Sequence, residues 1–107
     1  MAKHAMLRSA SVTERDYPSA ARRRGEQGRV VFQYVVDPAG RPRDCVVQES
    51  SGSALLDEAS CNIVLRRFRF APARSAAGEA VAQRWVQTID WQLPRSINLA
   101  LPMPATD

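Results

Sequence analysis

An α+β domain built on one antiparallel sheet is predicted by three features of this sequence. Residues 28–37 and 43–49 are two β-rich runs around the turn Asp37-Pro38-Ala39-Gly40, a hairpin pattern. Ser50-Ser51-Gly52-Ser53 then changes the hydrophobic period from two to about 3.6, so a strand hands over to a helix. Beyond a proline break, residues 81–93 alternate over the length of a long strand. The expected sheet has three antiparallel strands in the order 2-1-3, counted along the chain. One long helix should cross one face, with a short N-terminal helix beside it and a right-handed connection from the second strand to the third.

Taken in order, residues 1–15 show no sustained periodicity and read as a flexible arm. The domain proper is expected over 16–93. It opens with Asp16-Tyr17-Pro18, and proline suits a first helical position. Arg22-Arg23-Arg24 suit the last turn and Gly25 the residue past the end, which makes a helix of two turns. In the first strand Val30, Phe32, Tyr34 and Val36 share one face, and Val31, Gln33 and Val35 the other. The return strand, from about Arg43 to Glu49, places Cys45 and Val47 on one face. Ser53 is a natural N-cap for a helix from about Ala54 to Arg69, with Asp57 and Glu58 near the positive end of its dipole. Leu56, Ser60, Cys61, Val64 and Phe68 merge into one stripe, opposite Glu58, Asn62, Arg66 and Arg69. Pro72 ends that helix. In the last strand Trp85, Ile89, Trp91 and Leu93 share a face. Residues 94–107 hold three of the seven prolines and read as an extended or disordered tail.

The 107 residues suffice for one domain with an ordinary core. A hydrophobic content of 45% and a charged content of 24% describe a globular chain. No apolar run approaches the ~20 residues of a membrane span. The net charge of +4 is carried almost wholly by arginine, scattered over several elements, which argues against a nucleic-acid footprint. The two cysteines are too few for a zinc site, and the single histidine, His4, lies in the arm. Cys45 and Cys61 are then either two buried thiols or one bridge, and spacing leaves both open. A bridge would add about 3 kcal/mol in the chain-entropy model. No nucleophile–His–carboxylate set, P-loop or HExxH is present, so neither an enzyme nor a cofactor is expected.

The order of elements and five spaced motifs resemble the TonB C-terminal domain family. The residues concerned are Tyr17-Pro18, Gly28 with Val30, Gly40, Ser50-Ser51-Gly52 with Leu56-Asp57, and Phe70-Ala71-Pro72-Ala73. The resemblance implies a periplasmic domain tethered to the inner membrane by an N-terminal helix and a Pro-rich linker. Neither is found in these residues, so the chain is expected to be a domain of a longer protein, or one whose role departs from the family's. A periplasmic site favours a Cys45–Cys61 disulfide. The implied mechanism is β-augmentation: the last strand offers its edge to the TonB box of an outer-membrane receptor, coupling it to the inner-membrane motor complex. Residues 83–89 (Gln83, Arg84, Trp85, Val86, Gln87, Thr88 and Ile89) are the expected contact, with exposed Gln83, Arg84, Gln87 and Thr88 shading specificity. Arg22 and Arg23 are expected as a second receptor contact. An edge covered by the tail or by a second copy of the domain, as in a homodimer, is the competing expectation. An envelope adaptor uncoupled from transport is the rival function, and a basic nucleic-acid-binding domain a more distant one.

Overall fold

In the computed structural model, which describes residues 2–105, alternation and capping set most of the elements. Strand β1 is Met6–Ser9, followed by a 3-10 turn at Glu14–Asp16 and helix α1 at Ser19–Arg23. Strands β2 (Gly28–Val36) and β3 (Pro42–Glu49) form the hairpin, and α2 (Ala54–Arg67) follows. Short strands β4 (Arg69–Ala71), β5 (Ala73–Arg74) and β6 (Ala80–Val81) lead into the long β7 (Gln83–Gln92). Two further strands, β8 (Ser96–Leu99) and β9 (Met103–Pro104), complete the chain.

The main sheet has five strands rather than the expected three. Its order is β3-β2-β7-β8, with β9 also paired to β7. All its pairings are antiparallel. The tail supplies the two additional strands. Prolines at 94, 102 and 104 suggested an irregular tail, but Ser96-Ile97-Asn98-Leu99 alternates and an outermost strand tolerates missing donors.

The arm also carries structure that its lack of periodicity hid. β1 pairs with β4, and Lys3 forms an isolated bridge with Arg74. The amides of Ala2 and Lys3 both donate to the Arg74 carbonyl. A strand of four exposed residues leaves no burial pattern in the sequence. Its backbone bonds hold it.

The inner sheet face is divided between two covers. α2 lies over one end, its Leu56, Ser60, Ile63 and Val64 buried. Ser60 Oγ, mid-stripe, accepts from Trp91 Nε1 at 2.8 Å and donates to the Leu56 carbonyl. At the other end Phe70 of β4 covers Tyr34 and Trp85, with ring centroids 6.1 and 5.5 Å apart. Gly40 permits this approach. Its φ is +84°, and a Cβ there would stand 1.9 Å from the Phe70 carbonyl oxygen. The Phe70 amide in turn donates to the Gly40 carbonyl at 2.9 Å.

A disulfide joins Cys45 of β3 to Cys61 of α2, with Cα atoms 5.9 Å apart. It fastens the helix to the sheet's edge strand.

Candidate partner-binding edge

β7 lies between β2 and the tail. On the β2 side the register runs unbroken from Gly28 opposite Trp91 to Val36 opposite Gln83. On the other side β8 pairs with residues 89–92 and β9 with Trp85 and Val86. Between them the Ala100 amide donates to the Thr88 carbonyl at 3.2 Å, and beyond β9 the Ala105 amide donates to the Arg84 carbonyl at 2.9 Å. The edge expected to be bare therefore carries the chain's own tail along nearly its whole length.

Period two divides the seven expected contact residues. Gln83, Trp85, Gln87 and Ile89 are buried, and Arg84, Val86 and Thr88 belong to the other face. Exposure of Gln83 and Gln87 is thus a wrong expectation. Both share parity with Trp85 and Ile89, and alternation alone assigns them to the inner face. They stay polar because each grips a terminal segment of the chain. Gln83 Oε1 accepts from the Ala5 amide at 2.8 Å and from Trp85 Nε1 at 3.2 Å, while its Nε2 meets His4 Nδ1 at 2.6 Å. Gln87 Nε2 donates to the Ala100 carbonyl at 2.5 Å.

Arg22 and Arg23 are exposed in the last turn of α1, beside buried Ala21. α1 is seated at the Trp91 end of β7. Tyr17 meets Trp91 edge-to-face at 5.3 Å, and its hydroxyl donates to the Glu26 carbonyl. Gln27 Oε1 accepts from the Leu93 amide at 3.0 Å, beside a hollow of about 360 Å³ lined by Gln27, Gly28 and residues 90–93.

Charge is arranged around α2. The Asp57 carboxylate accepts from Ser50 Oγ at 2.5 Å, the Ser51 amide at 2.9 Å and Ser51 Oγ at 2.8 Å. Burial pushes its pKa up, but these three bonds outweigh it and hold the group below its ordinary 3.8. Asp16 is likewise lowered, first by its hydrogen bond from Arg67, at 2.6 Å. The Tyr34 hydroxyl, buried and without a partner among the described residues, is pushed well above the usual phenol range. Asp57 was expected as a helix-dipole charge; its hold on the preceding turn is visible only in three dimensions.

Together these features define a small sheet-and-helix domain that holds an extended segment of its own chain against its longest strand. The chain belongs to the family of the Gram-negative bacterial TonB protein C-terminal domain, whose model matches residues 13–93. It is 38% identical over 79 residues to protein tonB2 of Pseudomonas aeruginosa, a match covering 73% of this chain. The chain spans only 28% of that relative's length. Its fold is similar to the solution NMR structure of the Pseudomonas aeruginosa TonB CTD, with a TM-score of 0.64 at 24% identity. That likeness covers 84% of this chain and 89% of the other. No helix among the described residues is long and apolar enough to cross a membrane.

Proposed function

We propose that this chain is the non-enzymatic periplasmic domain of an energy transducer, and that it pairs β7 with the TonB box of an outer-membrane receptor. Force generated at the inner membrane reaches it through the part of the protein that precedes it, and passes to the receptor through this pairing. One observation supports the reading above others: residues 96–105 already lie against β7 by main-chain bonds. β7 is thus a strand-receptive edge. A receptor segment takes the same position by displacing the tail. Main-chain bonds supply affinity, and Arg84, Val86 and Thr88 on the outer face shade specificity. Arg22 and Arg23 form a second receptor contact near the Trp91 end.

The test is titration of the full chain with peptides from receptor N-termini while backbone amides are followed by NMR. Shifts should concentrate in residues 83–92, and residues 96–105 should lose their paired signature. Saturable binding that leaves both regions unchanged would overturn the edge mechanism. Replacing Arg22 and Arg23 together with Ala should weaken binding to the intact receptor several-fold more than binding to the isolated peptide. Equal loss in the two assays would remove the second contact.

A further inference from the structure

Gln87 is 1% exposed and makes an asymmetric set of bonds. Its Nε2 donates to the Ala100 carbonyl at 2.5 Å and to the Thr88 carbonyl at 3.2 Å. Its Oε1 is buried with no partner among the described residues. In a regular antiparallel ladder the two facing residues of a hydrogen-bonded pair exchange both main-chain bonds. Here the Ala100 amide bonds to Thr88, while the Ala100 carbonyl is taken by a side chain.

The register explains why a side chain is needed at this place. Ile89 faces Leu99, but Val86 faces Met103, so residues 100–102 of the tail stand opposite only residues 87 and 88. The tail bulges at this point. Beside the bulge is a hollow of about 290 Å³ lined by Val86, Thr88, Ala100, Leu101, Met103 and Pro104. Pro102 within the bulge and Pro104 just beyond it then remove two N–H groups from this stretch. The tail is consequently an under-bonded occupant that satisfies the donor of Gln87 and leaves its acceptor empty.

We infer that Gln87 sets the register and the preference of whatever strand lies on the outer edge of β7. Its carboxamide grips one residue of that strand, and a replacing segment satisfies both ends of the carboxamide, that residue's C=O to Nε2 and its N–H to Oε1. A buried acceptor left unpaired is costly, so filling it favours a proline-free extended segment over the tail. The inference rests on the edge-pairing function proposed above for the incoming segment, but its statement about the tail stands independently.

The experiment uses the full chain, wild type and Gln87→Met, which keeps the length and removes both polar ends. A receptor N-terminal peptide is made as a series with one amide at a time replaced by an ester, which deletes an N–H and weakens a carbonyl. In wild type one position should cost about tenfold in Kd through its bond to Gln87, and that cost should vanish in Gln87→Met. Costs at other positions should persist in both, which separates a specific grip from general loosening. An identical cost profile in the two proteins overturns the inference. If no peptide engages wild-type β7, the edge-pairing function fails, and tail exchange decides the remainder. Amides of residues 99–105 should then exchange about tenfold faster in Gln87→Met while β2 is unchanged. Unchanged tail exchange overturns it. Should Gln87→Met fail to fold, Gln87→Leu, which also removes both polar ends and adds no charge, is read by the same two measurements.

Discussion

Asp57 closes the turn before its own helix with three hydrogen bonds, and it is the residue where charge and fold meet most directly. Replacing it with Asn should cost about 1.5–3 kcal/mol, the range for bonds to a charged acceptor, measured by urea unfolding at pH 7. Its folded-state pKa, like that of Asp16, lies below the ordinary 3.8. The stability each contributes is therefore complete above about pH 4–5 and is lost as pH falls through the folded value. The double variant Asp16→Asn, Asp57→Asn should show a shallower loss of stability between pH 4 and 2 than wild type; an equal slope would refute the assignment. At Gly40 the strain is steric. Gly40→Ala meets a positive φ and a carbonyl oxygen at 1.9 Å, and should cost at least about 2 kcal/mol. Gln83 and Gln87 show how far residue type alone misleads. Glutamine suggests exposure, while the parity of the strand assigns both to the core.

At the scale of elements, the Cys45–Cys61 bridge spans 16 residues and joins the edge strand to the helix. Reduction, or Cys45→Ser with Cys61→Ser, should lower stability by about 3 kcal/mol on the chain-entropy account, with the sheet order retained. A drop in thermal midpoint under reductant that is absent in the double Ser variant is the measurement. The elements with strong periodicity were legible: β2 by its valines and aromatics, α2 by its stripe and Ser53 cap, β7 by alternation. The elements that were not legible are those held by backbone alone. β1 is four exposed residues paired to a three-residue β4, and β9 is a Met-Pro pair. Their stabilisation comes from partners distant in sequence, so no local pattern records it. Arg22 and Arg23 were legible as a helix end, and the seating of α1 against Trp91 was not.

Over the whole molecule the arm and the tail both reach β7, the arm through Gln83 and the tail through Gln87. Amide exchange should grade accordingly. β2, flanked by strands on both sides, should be the most protected part of the sheet, and the tail strands β8 and β9 should open more easily. Protection in the tail equal to that of β2 would mean that it does not yield to a competing strand. By itself the sequence determined the hairpin, the capped amphipathic helix, the long last strand and the family to which they belong. Each of those rests on spacing, which a linear pattern can carry. Only the tertiary structure decided that the outer edge of β7 is occupied, that its glutamines face inward as grips, and that arm and tail contain strands. Those outcomes depend on which backbone groups remain unpaired once the core has formed, and only the folded chain brings their partners within reach.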